Sequence, residues 1–386
     1  MEKEQKVKKK VCIITTVHPP FDIRIFHKQA KTLLGFGYDV SLIATHNKEE
    51  TIDGIKLIPL STPENRFERM FLNNCKSLLL ALKQNASIYH FHDPELLFVG
   101  LLLKVIFKKK VIYDSHEFYR ELILYKEWIP KPYRIFYSKF FTFYEKSIYP
   151  KLDAVIGVLN EQAYLFPKVE YVALYNLPQK TMFENLNIKE KKYDLIYAGT
   201  LSRDRGLFEM LKIAKILKHQ FKMTNLKFVL IGKFASKELE EEYNQYLKTY
   251  SLKDNIYFRG FKPYHESINL IAKSRLGLNL AEKSKNYDDS KPILATKIFE
   301  YMALKVPVFV TDFKCTMEFL NTPDYIYFVK NGEELKTAEL IFNLLNNPEK
   351  LMFLGDKARN EFLEKYNWET ESEKLFNLYE KLFVLR

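Results

Sequence analysis

Two charged side chains one helical turn apart, Lys297 and Glu300, stand inside an otherwise apolar run, KPILATKIFEYMALKVPVFVT (Lys291–Thr311). The run reads as a loop, an amphipathic helix, a turn at Lys305–Val306–Pro307 and a buried strand. A carboxylate among apolar neighbours is costly unless a partner takes up its charge or its hydrogen bonds. A solvated pairing of Glu300 with Lys297 or Lys305 is the alternative. Upstream, YDLIYAGTLSRDRGL reads as a buried strand ending at Gly199, then a turn carrying Arg203 and Arg205, then Gly206 and a helix. A strand, a glycine turn and a helix N-terminus make a site for a phosphate-bearing ligand. Together the two segments suggest one pocket that holds a diphosphate at one end and hydroxyls at the other.

The elements that must position these residues alternate between strand and helix. In the first half, strands fit Val11–Val17, Asp39–Ala44, Ile55–Leu60, Ser87–Phe91, Lys110–Asp114 and Ala154–Leu159. Helices fit Arg24–Gly35, Arg66–Lys83 and Glu95–Phe107. In the second half, strands fit Asp194–Ala198, Lys227–Ile231, Ile256–Arg259, Leu276–Leu280, Val306–Val310 and Tyr325–Val329. Helices there fit Leu207–His219, Ser236–Tyr250, His265–Ala272 and Ala295–Leu304, and Glu333–Phe383 reads as helical throughout. Such alternation predicts an α/β protein built on parallel, doubly wound sheets. At 386 residues the chain exceeds one core, so two domains are expected, hinged in Tyr175–Lys192. Two sheets of this kind place a cleft between their carboxyl ends, where open α/β sheets bind ligands.

Composition narrows the functional classes. Three widely spaced cysteines (Cys12, Cys75 and Cys315) give neither a disulfide framework nor metal-ligand spacing, which suits a reducing cytoplasm. The first ten residues, MEKEQKVKKK, are charged, so no signal peptide is expected, and no apolar stretch is long enough to span a bilayer. The net charge of +12 is open to nucleic acid, an anionic membrane or phosphorylated substrates. No nucleic-acid recognition motif accompanies it. No Asp-x-Asp triplet and no His or Cys cluster appears, so no metal is expected.

Six ordered motifs carry a family resemblance: VHPPFDIRIFHKQAKTLL (Val17–Leu34), FHDPELL (Phe91–Leu97), VIYDSHE (Val111–Glu117), YAGTLSRDRG (Tyr197–Gly206), ATKIFEYMALKVPV (Ala295–Val308) and YNWETESEKLFNLYEKL (Tyr366–Leu382). The chain resembles the family 4 glycosyltransferases of GT-B architecture, of the type found in bacterial capsule, O-antigen and exopolysaccharide clusters. The resemblance implies two Rossmann-like doubly wound domains facing across a cleft. The first, 1–178, would bind the acceptor and the second, 179–366, the nucleotide sugar. The terminal helix, 367–386, would cross back to the first domain. It also implies a retaining, metal-independent transfer from a UDP- or GDP-linked sugar to a saccharide, often lipid-linked.

The same resemblance assigns residues. Arg205 matches the cation that holds the diphosphate. Thr200 replaces the arginine that commonly follows the strand-ending Gly199, with Arg203 and Lys297 as substitute charges. Glu300 matches the second of two glutamates and would accept hydrogen bonds from the ribose hydroxyls. The first would fall at Pro292, and Glu282 is the nearby candidate to compensate. His116 matches a histidine that contacts the donor sugar near the reacting carbon. His116, Arg205 and Glu300 are thus the expected catalytic group. On the acceptor side stand Asp22, which is also a natural helix N-cap, Arg24, His92 and Asp93. His90 and His92 share one face of a strand and have a structural alternative.

Residues Tyr119–Leu152 carry eleven aromatics and seven Lys or Arg against three Glu. The stretch reads as a basic amphipathic helix, either at an anionic bilayer surface or packed on the sheet. The expected setting is therefore cytoplasmic, with peripheral contact at the inner face of the membrane as one option. Two other classes stay open: another GT-B enzyme such as a sugar-nucleotide epimerase, and a degenerate non-catalytic homologue that binds nucleotide or membrane.

Overall fold

The computed structural model describes residues 9–126, 128–184, 186, 190–284 and 294–384. Pro292 and the charged first eight residues lie outside the described residues. The chain divides into two units. The first holds residues up to Asn176 together with the segment from Trp368 onward, and the second runs from Leu177 to Asn367.

The first unit carries an eight-stranded sheet. Its strands are β1 (Lys10–Ile14), β2 (Asp39–Thr45), β3 (Glu50–Ile52), β4 (Ile55–Leu60), β5 (Ile88–Phe91), β6 (Lys110–Asp114), β7 (Ala154–Gly157) and β8 (Glu170–Ala173). Their order is β3-β4-β2-β1-β5-β6-β7-β8, parallel except for the β3/β4 hairpin. Strands buried on both faces must be apolar on both, as Val11–Ile14 are. One face of the sheet packs Val11, Ile13, Ile25 and Phe26, and the other packs Cys12, Ile14, Phe91 and Tyr113.

The terminal helix Trp368–Val384 completes the first of these cores with Trp368, Leu375, Leu378, Tyr379 and Leu382. Trp368 Nε1 donates to Thr32 Oγ1 at 2.9 Å, and Tyr38 donates to Glu380 at 2.5 Å.

The second unit holds a wholly parallel six-stranded sheet. Its strands are β9 (Tyr193–Ala198), β10 (Phe228–Ile231), β11 (Ile256–Phe258), β12 (Ser274–Asn279), β13 (Val308–Thr311) and β14 (Ile326–Val329), in the order β11-β10-β9-β12-β13-β14. Helices Leu207–His219 and Thr296–Ala303 follow the turns singled out above. The structure adds strands β3 and β8 and helix Lys314–Leu320, none of which periodicity marked. The helical end of the chain is three helices, Glu334–Leu345, Pro348–Glu364 and Trp368–Val384.

Candidate functional site

In the second unit, Arg205, Lys297 and Glu300 line one cavity of about 460 Å³, together with Ala198, Asn279, Ala281 and Thr296. The chain reaches it through two glycine turns. Gly199 has φ +148°, and a Cβ there would stand 2.9 Å from Lys297 Nζ. Gly206 has φ +76°, caps helix Leu207–His219, and would drive a Cβ to within 1.6 Å of the Leu280 carbonyl oxygen. Only glycine suits both demands.

Lys297 Nζ lies 3.9 Å from the centroid of the Tyr197 ring. Burial, reinforced by the Arg205 charge and only partly opposed by Glu300, pushes the Lys297 ammonium down to about 7. Glu300 is 9% exposed. The Tyr264 hydroxyl shares a hydrogen bond with Glu300; burial, then the Glu300 charge, raises the phenol well above its usual range. Lys305 turns instead to Asp356, at 2.5 Å, so the solvated Glu300–Lys305 pair is not formed.

Other expected donor residues stand apart from this cavity. Arg203 pairs with Glu242 and lies 4.6 Å over the Phe208 ring. Thr200 is exposed, and its carbonyl accepts from the Tyr197 hydroxyl at 2.8 Å. Glu282 lines a separate cavity of about 550 Å³ with Glu209, Lys212 and Asn331, so it does not stand beside Glu300. Tyr264 and Asn279 were missed, since nothing in their local sequence marks them.

In the first unit the expected acceptor residues follow the carboxyl ends of β1 and β5, and His116 follows that of β6. Asp22 is a helix N-cap, accepting from Arg24 N at 2.8 Å and Ile25 N at 3.0 Å. Arg24, expected on the acceptor side, lies in the interior. Its side chain is 6% exposed and grips Asp114 through Nε and Nη2, both at 3.2 Å, while Nη1 donates to the Leu174 carbonyl at 3.1 Å. Asp93 is fully buried. It accepts from the Thr15 hydroxyl at 2.8 Å and from the amides of Thr16 and Val17 at 2.6 and 3.2 Å, fixing the loop after β1.

His90 and His92 are buried as well, and burial lowers both, His92 well below the usual histidine range. His90 Nδ1 meets Tyr379 Oη at 2.9 Å. His116 Nδ1 is 3.3 Å from Asp114 Oδ1. A histidine cluster absent from linear spacing thus forms in the fold. His90, His92 and Asp114 offer nitrogen and oxygen atoms within 4.8 Å of one another. Asp114 Oδ2, however, already accepts from Gln29 at 2.7 Å and from Arg24. A guanidinium beside the carboxylate repels a second cation, so the cluster reads as an ion-paired core.

Two family models cover the chain in tandem: glycosyltransferase family 4 over residues 8–165 and glycosyl transferases group 1 over residues 178–361. The chain is a GT-B glycosyltransferase of family 4 type. Solved structures share the transferase's fold at low identity. Sucrose-phosphate synthase from Thermosynechococcus elongatus matches with TM-score 0.71 and 17% identity, over 98% of this chain and 100% of that one. A glycosyltransferase from Rickettsia africae matches with TM-score 0.72 and 15% identity, over 98% and 100%. Anabaena HepE in complex with UDP and glucose matches with TM-score 0.68 and 13% identity, over 97% and 100%. No curated protein sequence matches this transferase.

Proposed function

We propose that the protein moves a sugar, with retention and without a metal ion, from a nucleoside diphosphate sugar to a saccharide acceptor in cell-surface polysaccharide synthesis. The cavity that joins Arg205, Lys297 and Glu300 carries this reading. As the bond between the sugar's anomeric carbon and the phosphate oxygen breaks, negative charge gathers on the diphosphate and positive charge on the ring. Arg205 and Lys297 answer the first, and Glu300 with Tyr264 holds the ribose hydroxyls. The acceptor oxygen bonds to the carbon on the face the phosphate leaves, and its proton passes to the departing phosphate oxygen. His116 hydrogen-bonds the sugar near that carbon. HepE binds UDP and UDP-glucose, so uridine is the first base to test and guanosine the second.

The test is a thermal-shift screen of nucleoside diphosphates and their sugars, with and without EDTA, on wild type and Glu300→Ala. Stabilisation by one nucleotide, indifferent to EDTA and lost in the variant, is expected. No shift with any nucleotide, in protein shown to be folded, would turn the reading toward a degenerate homologue.

Lys297 gives the donor site a pH dependence. With its ammonium already pushed down to about 7, a diphosphate favours the charged form, so binding takes up a proton. Affinity for a nucleotide sugar is expected to fall as pH rises above 7, by up to ~10-fold per unit. Calorimetry at pH 6.5 to 8.5 measures it; a Lys297→Met variant with the same slope would remove Lys297 as the cause.

A lipid-linked acceptor is the second part of the proposal, supported by helix Lys131–Ile148. Tyr133, Phe136, Phe140 and Phe143 follow a helical stripe and are 58%, 65%, 58% and 74% exposed, while Phe141 and Tyr144 pack on the core. Phe67 and Phe71 are also exposed, and Arg66 lies 4.2 Å over the Trp128 ring. An apolar stripe with Lys131, Arg134, Lys139 and Lys146 on the same helix suits an anionic bilayer surface. No helix among the described residues is long and apolar enough to cross a membrane. Phe136→Ser/Phe143→Ser is expected to release the protein from phosphatidylglycerol vesicles in co-sedimentation. Equal binding by variant and wild type would refute the helix as the contact.

A further inference from the structure

One carboxamide ties together three separate segments of the second unit. Asn331 stands two residues beyond β14. Its Nδ2 donates to Glu209 Oε2 at 2.6 Å and to the Ala281 carbonyl at 3.3 Å, and its Oδ1 accepts from the Lys283 amide at 3.2 Å. Glu209 lies in the first turn of helix Leu207–His219, and Ala281 and Lys283 lie in the loop that leaves β12. Two acceptors face Nδ2 and one donor faces Oδ1, so the amide fits in one orientation only.

Both attachments lead back to Arg205. Between Ala281 and Lys283, the Glu282 amide donates to the Asp204 carbonyl at 2.9 Å. The Leu280 carbonyl stands so close to Gly206 that it leaves no room for a Cβ there. The loop after β12 thus backs the turn 204–206. On the other side, Glu209 belongs to the helix that Gly206 caps, one turn past Arg205. A closed circuit results. It runs from Asn331 to Glu209, along the chain through Arg205 to Asp204, across to Glu282, and by Ala281 and Lys283 back to Asn331.

We propose that Asn331 is a positioning residue for Arg205: by closing this circuit it fixes the turn that presents the cation to the donor cavity. The role calls for a carboxamide. Glu209 is 4% exposed, and a buried carboxylate needs a donor. Burial pushes it up to about 7, with the Asn331 hydrogen bond the foremost influence against that rise. The Lys283 amide needs an acceptor at the same place. Aspartate would supply the acceptor but set a second carboxylate on Glu209, and alanine would supply neither group.

The end of β12 has a second hold, since Thr311 Oγ1 donates to the Ala281 carbonyl at 2.7 Å. What Asn331 adds is the tie from Lys283 to Glu209, and with it the closure of the circuit around Arg205. The effect on ligand binding rests on the proposed contact of Arg205 with the diphosphate; the circuit itself does not.

The test has two arms. The first is hydrogen–deuterium exchange of the full chain, free of nucleotide, on wild type and Asn331→Ala. Residues 202–206, which make no hydrogen bond with Asn331, are expected to exchange several-fold faster in the variant, on the scale of one lost hydrogen bond, while β10 keeps its rate. Unchanged exchange at 202–206, or an equal rise at β10, overturns the proposal. Asn331→Asp, which keeps an acceptor for Lys283 and loses both donors, should loosen the same turn and gives a second reading if the alanine variant does not fold. The second arm is calorimetric affinity for UDP and GDP. Asn331→Ala is expected to weaken the diphosphate that the wild type takes by about tenfold, and to add little in an Arg205→Ala background. A penalty of equal size in both backgrounds overturns the positioning role. A wild type that binds neither diphosphate sinks the transferase reading and leaves the exchange result to decide the circuit.

Discussion

Arg205→Ala is expected to cut turnover by about 10²–10³-fold, the cost typical of losing one fixed group that stabilises developing charge. The residue lines the cavity with Lys297 and Glu300 and sits one position before Gly206, whose positive φ turns the chain into helix Leu207–His219. Removing Arg205 leaves Lys297 as the other cation lining the cavity. It also lifts one of the influences that push the Lys297 ammonium down, so the pH at which donor affinity declines should move upward. Initial rates and nucleotide-sugar affinity, measured across pH on variant and wild type, separate the two effects. An Arg205→Ala enzyme with unimpaired turnover would remove Arg205 from the donor site, and a Lys variant should recover part of the loss.

The largest stability effect is expected at Arg24, where substitution by alanine should cost the first unit about 3–5 kcal/mol, as when one partner of a buried ion pair is removed. Asp114 is fully buried and takes two of its hydrogen bonds from the guanidinium. The variant leaves that charge with Gln29 and histidines alone. The pH dependence has a definite sign. Asp114's folded pKa lies well below its ordinary 3.8, so it contributes stability above that pH and loses it as pH falls toward the folded value. Arg24→Ala raises the folded value, so the acid limb of unfolding should begin at higher pH. Urea unfolding at pH 7 and pH 4, followed by Trp128 and Trp368 fluorescence, measures this. An unchanged midpoint would refute the account, and adding Asp114→Asn should recover part of the loss.

What could be read along the chain was local. Apolar runs of strand length gave β4 and β6 their limits, and the Gly199–Gly206 turn declared itself because φ > 0 and close approach demand glycine there. The β3/β4 hairpin also left a signal, since Asp53-Gly54 takes φ 51° and 83° at its tip. Strand β3, three residues long with no buried side chain, is too short for a period-2 pattern. Arg24 could not be placed from sequence, because its partner lies ninety residues away and a first-turn arginine looks the same whether solvated or locked. Asn331 likewise lies between a strand and a helix as any turn residue does; only the fold sets it against Glu209 and Ala281. Glu300 was singled out as a carboxylate needing a partner, but nothing near Tyr264 marked it as one.

The core closed by Trp368 and Leu375 reverses the usual order of events during synthesis. Residues that begin the first sheet leave the ribosome before any of the second unit, yet the helix that packs into one of that sheet's cores emerges only after the second unit. The second unit, continuous from Leu177 to Asn367, is complete while the first still lacks the helix whose Tyr379 and Phe383 rings pack on Tyr38. A nascent chain stalled at Asn367 should therefore present one protease-resistant body and one vulnerable one.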